Sequence, residues 1–211
     1  MSNFMHVMPS DIEKESFRII TETLNDMGVV LSEETAPIIK RVIHTTADFS
    51  FVESLSFSND AVCVAHSLIK NGATIVTDTN MTLAGINKSR LSKYGCEIRC
   101  FMADEEVAKE AKARGVTRAT VSMERASKIE GPVIFSVGNA PTALISIKEL
   151  MDKSGFVPDF IIGVPVGFVN VEYSKELFRD SEVPYIINFG KKGGSNVAAA
   201  IINALVLTMP S

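Results

Sequence analysis

Five short apolar runs alternate with segments of helical length from residue 74 onwards, and this alternation limits the fold more than any other feature. The runs are residues 74–77, 97–101, 133–137, 160–164 and 185–189. The segments of helical length include residues 105–114, 141–153, 170–180 and 195–207. Because such alternation is typical of parallel strands joined by right-handed crossovers, the sequence predicts an α/β fold with an open, mostly parallel five-stranded sheet and helices on both faces.

The residues before Gly72 are predicted to be helical. Ser10 and Glu13 fit a capping box, and an apolar stripe follows them as far as Gly28. Two further helices are expected, and the second of them ends at Gly72, a residue that favours a helix C-cap. The 211 residues are therefore predicted to form a single α/β domain, 1–211, with an N-terminal helical segment.

The composition excludes several classes of protein. A net charge of −4 leaves no basic footprint for nucleic acid. The sequence contains no apolar run of roughly 18 residues, which a membrane-spanning helix needs, and its N-terminus does not resemble a signal peptide. Three cysteines are too few and too odd in number for a disulfide framework. These features favour a cytoplasmic protein that binds neither nucleic acid nor membrane.

A sheet of this class places its ligand site beyond the carboxyl ends of its strands. Those ends are predicted at Asp78, at Gly138 and Asn139, at residues 165–168 and at residues 190–195. Glycine is concentrated at three of the four ends, where it lets the backbone approach a ligand closely. The sequence therefore predicts a ligand-binding edge before any chemistry is considered.

His44 is the strongest candidate for chemistry. It follows an apolar helical stripe and is itself followed by Thr45, Thr46 and Asp48. An imidazole can give and take a proton near pH 7, which suits acid–base work. The alternative is a histidine that only stabilises the negative end of its helix.

The loop from Gly190 to Ser195 is a candidate anion site. Lys191 and Lys192 precede Gly193, and a helix is predicted to begin near Ser195, so ammonium groups, free N–H groups and a helix dipole would converge there. The spacing is not that of a P-loop, and no GxGxxG follows a strand. A plain glycine-rich connection is the alternative interpretation.

Asn139 and Arg118 are weaker candidates. Asn139 lies where a strand passes into a helix, so an N-cap role would explain it, although the backbone amides there could also face a ligand. Arg118 lies in a polar stretch that is also typical of a solvated helix face.

The sequence predicts no metal site. Cys96 and Cys100 flank a strand, which separates their Cα atoms by about 13 Å, too far for one zinc ion. Cys63 and His66 lie three residues apart on one helix, but no second pair of ligands accompanies them. Core packing is the favoured interpretation for all four residues.

Five segments together resemble the precorrin-8X and cobalt-precorrin-8 methylmutases. They are residues 12–17 (IEKESF), 41–49 (RVIHTTADF), 137–143 (VGNAPTA), 166–172 (VGFVNVE) and 192–195 (KGGS). The likeness is collinear from about residue 9 to the C-terminus. It implies an isomerase that moves a methyl group from carbon 11 to carbon 12 of the macrocycle by a 1,5-sigmatropic shift. The implied product is hydrogenobyrinate or cobyrinate, in cobalamin biosynthesis.

The resemblance also implies a homodimer that needs no added cofactor, with cobalt, where present, carried by the substrate. The family's catalytic histidine matches His44, and its binding serine and arginine match Ser16 and Arg118. The segment that begins at His44 is more similar to the cobalt-using branch. The full set expected to bind the polyanionic, disc-shaped substrate is Ser16, Thr45, Met81, Arg118, Asn139, Lys191, Lys192, Gly193 and Ser195.

Two other functions remain open from the sequence. A non-catalytic corrinoid or tetrapyrrole carrier would keep the cationic loops but would not need His44. A Rossmann-like enzyme that uses a nucleotide or S-adenosylmethionine would need the phosphate fingerprint, which is missing here.

Overall fold

Six strands form one sheet in the computed structural model, which describes residues 8–210. The strands are β1 (Leu55–Phe57), β2 (Thr74–Thr77), β3 (Glu97–Arg99), β4 (Val133–Val137), β5 (Phe160–Gly163) and β6 (Tyr185–Asn188). Their order across the sheet is β1-β6-β5-β4-β2-β3, and β2 to β6 all run parallel. The predicted α/β class and the mostly parallel sheet are confirmed.

The predicted number of strands is wrong by one, because β1 adds an antiparallel strand at the edge. It pairs with β6, with Leu55 opposite Asn188 and Phe57 opposite Ile186. A run of three residues is too short to show an alternating pattern. Only the pairing with β6, more than a hundred residues later, makes this segment a strand.

Helices cover both faces of the sheet. They are α1 (Ile12–Asp26), α2 (Ala36–Thr46), α3 (Phe51–Ser54), α4 (Ala61–Lys70), α5 (Asn80–Gly85), α6 (Lys88–Leu91), α7 (Glu105–Arg114), α8 (Arg118–Ala126), α9 (Pro141–Ser154), α10 (Val171–Glu176) and α11 (Ser195–Leu207). The core on one face contains residues of α1, α2, α4 and α11, and the core on the other contains residues of α8 and α9. No described helix is both long and apolar enough to cross a membrane.

Helix α11 is the centre of the first face. Ala198, Ile201, Ile202 and Leu205 are buried between α2, α4 and the sheet. Burial of each large aliphatic side chain contributes roughly 1.5–3 kcal/mol. This packing places the N-terminus of α11 at the carboxyl edge of the sheet and leaves one side of the helix accessible.

Two local predictions are wrong. The capping box does not form, because α1 follows a 3-10 turn, Pro9–Asp11, and Asp11 at the N-cap makes no side-chain cap. Cys63 is exposed on α4 rather than packed in the core. His66, one turn later, is half-buried, and its Nε2 lies 3.0 Å from the carbonyl oxygen of Leu205.

Candidate functional site

An open groove of about 510 Å³ runs along the accessible side of α11, between α2 and the α5–α6 segment. We call it the His44 groove. Ala199 and Ala200 contribute a narrow apolar strip of α11, and polar side chains surround it. The residues that line the groove are Glu13, Arg41, His44, Thr45, Gly85, Asn87, Arg90, Asn196, Ala199, Ala200, Asn203 and Leu207.

His44 is exposed to the groove from the last turn of α2. Its imidazole stacks on the ring of Phe17 in α1, with ring centroids 5.1 Å apart and planes inclined by 16°. The helix ends two residues later, at Thr46, because Ala47 adopts a left-handed conformation, and the Ala47 N–H donates to the Ile43 carbonyl at 2.7 Å. The imidazole is therefore accessible to a ligand and held from one side by an aromatic ring.

Arg41 lies one turn before His44 on the same helix. Its guanidinium carbon is 4.6 Å from the centroid of the Phe17 ring, and it forms an ion pair with Glu13 of α1. The hydrogen bond from Arg41 is the main cause that lowers the pKa of the Glu13 carboxyl. Phe17 thus contacts the imidazole of His44 and the guanidinium of Arg41, and Glu13 supplies the negative charge that balances Arg41.

The α5–α6 segment forms the opposite wall and is hydrogen-bonded to α11. A Cβ at Gly85 would lie 2.9 Å from the Cβ of Ala199, so only glycine permits this approach. The Asn203 amide donates to the Gly85 carbonyl at 2.9 Å and accepts from the Asn87 N–H at 2.8 Å. These contacts bring the exposed side chain of Arg90 to the groove.

The carboxyl edge of the sheet is organised by Asp78, which is buried. Its carboxylate accepts the N–H groups of Gly138 at 2.8 Å, Asn139 at 2.8 Å and Ala140 at 2.6 Å. Burial raises the pKa of Asp78, and the three hydrogen bonds oppose that rise. The backbone N–H of Asn139 is therefore already hydrogen-bonded to a protein carboxylate, while the Asn139 side chain stays exposed.

Gly193 and Ser195 have internal contacts. A Cβ at Gly193 would lie 2.1 Å from the carbonyl oxygen of Val164, so a side chain there would collide with the backbone directly after β5. The buried Ser195 hydroxyl lies 2.8 Å from the Thr79 hydroxyl. Both residues hold the start of α11 against the sheet.

The two lysines of the loop each have a carboxylate partner. Lys192 donates to Asp48 at 2.5 Å, and this contact is the main cause that lowers the pKa of Asp48 to about 2. Lys191 lies 3.8 Å from Glu172. A bound anion at this loop would have to compete with these carboxylates.

The remaining predicted residues lie outside the groove lining. Ser16 is half-buried next to Phe17, and its hydroxyl donates to the Ile12 carbonyl at 2.9 Å. Met81 is exposed on α5. Arg118 begins α8, which packs with α9 on the opposite face of the sheet from α2 and α11. The structure thus brings His44 and Thr45 into one groove and leaves Arg118 away from it.

Sequence reasoning missed several residues of the groove. Arg41 could have been found, because a spacing of three residues on a helix places it beside His44. Arg90 and Asn203 carry no local signal, because only the packing of α5 against α11 brings them to the same groove.

Comparison with known proteins adds an independent finding. A family model described as CbiC, precorrin-8X methylmutase, matches residues 11–208. A cobalt-precorrin-8 methylmutase of Priestia megaterium is 41% identical, over 97% of this chain and 90% of the relative. The cobalt-precorrin-8 methylmutase of Salmonella typhimurium is 42% identical, over 94% of each chain.

A precorrin-8X methylmutase of Pseudomonas aeruginosa is 36% identical, over 92% of this chain and 93% of the relative. The crystal structure of a precorrin-8x methyl mutase from Thermus thermophilus superimposes with a TM-score of 0.83 at 36% identity. That match covers 93% of this chain and 96% of the other. Sequence and fold therefore lead to the same group of proteins.

Proposed function

This chain belongs to the precorrin-8X methylmutase family, and from that premise we propose that the His44 groove holds the macrocycle during methyl transfer. The protein is an isomerase of cobalamin biosynthesis that moves a methyl group from carbon 11 to carbon 12 of a precorrin-8-type substrate. The observation that carries the proposed location is an exposed imidazole at the edge of the groove. A non-catalytic carrier is not favoured, because the matched relatives are named as methylmutases.

The bond changes balance within the substrate. The bond between carbon 11 and the methyl group breaks, the bond between carbon 12 and the methyl group forms, and the composition does not change. The step needs neither a methyl donor nor an electron acceptor. We therefore propose that no added cofactor takes part, and that cobalt, where present, enters within the substrate.

His44 acts as the proton donor in this proposal. Its imidazolium donates a proton or a hydrogen bond to the conjugated system near ring C, and recovers it once the methyl group has moved. This withdraws electron density and eases migration, and such assistance is typically worth about 10²–10⁴-fold in rate.

Binding of the substrate follows from the shape and charge of the groove. The apolar face of the macrocycle packs on the strip of Ala199 and Ala200, while Arg41 and Thr45 contact carboxylates at its rim. The other predicted binding residues remain proposals. These are Ser16, Met81, Arg118, Asn139, Lys191, Lys192, Gly193 and Ser195.

A homodimer would complete the site. Pockets of about 300–1,000 Å³ enclose drug-sized ligands, whereas the His44 groove is open and its substrate is larger. A second copy would cover the face that the groove leaves exposed. Exposed apolar side chains at the carboxyl edge of the sheet, above all Phe168, support such a contact. We also propose that the enzyme works in the cytoplasm.

The form of the substrate is proposed to be the cobalt-containing one. The relatives at 41% and 42% identity are named as cobalt-precorrin-8 methylmutases, and the precorrin-8X methylmutase named above is 36% identical. Incubation with each form, followed by the visible spectrum, tests this, because the methyl shift alters the conjugated system. Faster conversion of the metal-free form would contradict the proposal.

Replacement of His44 tests the mechanism. His44→Ala is expected to lower turnover by about 10²–10⁴-fold and to keep binding of the coloured corrinoid, because it removes the proton donor and leaves the groove. The matched control is His66→Gln, because His66 is the other histidine among the described residues and it lies outside the groove. Normal turnover by the His44→Ala variant would refute the assigned role.

A further inference from the structure

The α5–α6 wall of the His44 groove carries a positive charge that the proposed chemistry does not use. We propose that Arg90 is a substrate-binding residue that orients the macrocycle by binding one of its side-chain carboxylates. This inference rests on the proposed function, since it takes the macrocycle as the ligand of the groove. It concerns how the substrate is oriented rather than how the methyl group moves.

Arg90 differs from the other cations near the groove in its electrostatic surroundings. Arg41 is paired with Glu13 and Lys192 is paired with Asp48. Arg90 has an exposed side chain and forms no ion pair with any residue between 8 and 210. A ligand carboxylate can therefore bind Arg90 without displacing a carboxylate of the described chain.

The position of Arg90 is fixed by a chain of contacts that starts at α11. Asn203 makes two hydrogen bonds to the turn before α6, one to Gly85 and one to Asn87. The Asn87 side chain then accepts the backbone N–H of Arg90 at 3.2 Å. The backbone of Arg90 is thus preorganised, so only its side chain must be ordered on binding.

The chemistry of the groove favours a carboxylate at the edge of an apolar ring. A guanidinium presents parallel N–H groups that match a carboxylate in bidentate geometry. Ala199 and Ala200 also line this groove, and although each is only 5% exposed they provide a small apolar contact for a macrocycle. The positive charge of Arg90 contributes to the lowered pKa of the Glu13 carboxyl, so the two side chains lie near each other. This part of the groove therefore carries a positive and a negative charge. An anionic substituent is drawn to the Arg90 side, away from Glu13.

This arrangement separates binding from chemistry. Arg90 projects from the α5–α6 wall, whereas His44 projects from α2. A contact that is equally strong in the ground state and the transition state changes KM and leaves kcat unchanged. Loss of Arg90 is therefore expected to raise KM without lowering kcat.

The test compares Arg90→Gln with Lys88→Gln. Lys88 is the matched control, because it is an exposed cation on the same short helix and does not line the groove. Dissociation constants are measured by titration with the corrinoid product at low and high salt, followed by visible absorbance. KM and kcat are measured with cobalt-precorrin-8 as the substrate. Melting temperatures check that both variants fold.

Arg90→Gln is expected to weaken binding about tenfold at low salt, to raise KM similarly and to reduce the dependence of binding on salt. Lys88→Gln should behave as the wild type does. Equal effects of the two variants, or a loss of kcat at unchanged KM, would overturn the inference. A wild-type protein that binds the product without any turnover would contradict the proposed function, and the binding comparison would still decide the role of Arg90.

Discussion

Phe17 is in contact with two residues that line the groove. Its ring contacts the imidazole of His44 and the guanidinium of Arg41, whereas the resemblance implies a binding role only for its neighbour Ser16. A side chain exposed at a helix end samples several rotamers unless something packs against it. The Phe17 ring therefore selects the orientation in which His44 faces the groove.

Replacement of Phe17 by leucine is expected to lower kcat while the fold is kept. Leucine preserves apolar volume but not the stacked ring, and such aromatic pairs are worth about 0.5–1.5 kcal/mol. The fraction of His44 in its productive orientation should fall by about 2- to 10-fold. The visible-spectrum assay measures this, with Phe17→Tyr as the variant that keeps the ring. Equal activity of the leucine variant and the wild type would show that the stacking has no role.

At the scale of elements, the loop between β6 and α11 depends on a buried lysine. Lys175 of α10 is fully buried, and its ammonium donates to the carbonyls of Gly190 at 2.7 Å and Lys192 at 2.8 Å. Burial lowers the pKa of Lys175 to about 8. The loop that carries Lys191 and Lys192 is thus held from inside the protein as well as by the contacts of these two lysines at its surface.

This lysine predicts a dependence of stability on pH. The unfolded chain holds the Lys175 proton up to its ordinary pKa of 10.5, whereas the folded chain releases it from about 8. The unfolded state therefore binds more protons between these values, so the contribution of Lys175 to the free energy of unfolding rises with pH there.

Lys175→Met should lack that rise in a series of urea unfolding curves between pH 8 and about 10. Lys191→Met removes an exposed lysine of the same loop and should keep it. A Lys175→Met variant that shows the same pH slope as the wild type would mean that the buried ammonium is not destabilised.

For the whole molecule, four exposed apolar side chains lie close together in the sequence that follows β5. Phe168 is 87% exposed and Val169 is 77% exposed, and Val166 and Tyr173 are also exposed. We call these four residues the Phe168 surface. Apolar groups clustered in this way mark contact sites.

The proposed homodimer predicts a change of mass on substitution of this surface. Light scattering of the wild type should give twice the chain mass of 22.9 kDa. Phe168→Glu should shift the protein towards the monomer and lower its activity, because burial of a carboxylate in an apolar contact is unfavourable. Val30→Glu changes a residue that is equally exposed, between α1 and α2, and should have no such effect. A monomeric wild type with full activity would contradict the proposal.

The sequence alone determined the features that depend on neighbouring residues. Two of the five predicted strands, β2 and β4, have the predicted bounds, because their apolar runs end where polar or glycine residues begin. The position of His44 at a helix end followed from the apolar stripe of α2 in the same way. Hydrophobic periodicity and turn residues act over a few positions, so one sequence is enough to reveal them.

Only the tertiary structure decided which distant groups meet. Three contacts join residues far apart in the chain. β1 pairs with β6, the Asp78 carboxylate accepts the backbone N–H of Asn139, and Asn203 hydrogen-bonds to Asn87 in the wall that carries Arg90. One of these contacts, from Asp78 to the backbone N–H of Asn139, satisfies a group that the sequence left available for a ligand. Buried polar groups take partners wherever packing brings them, and packing is a property of the whole chain.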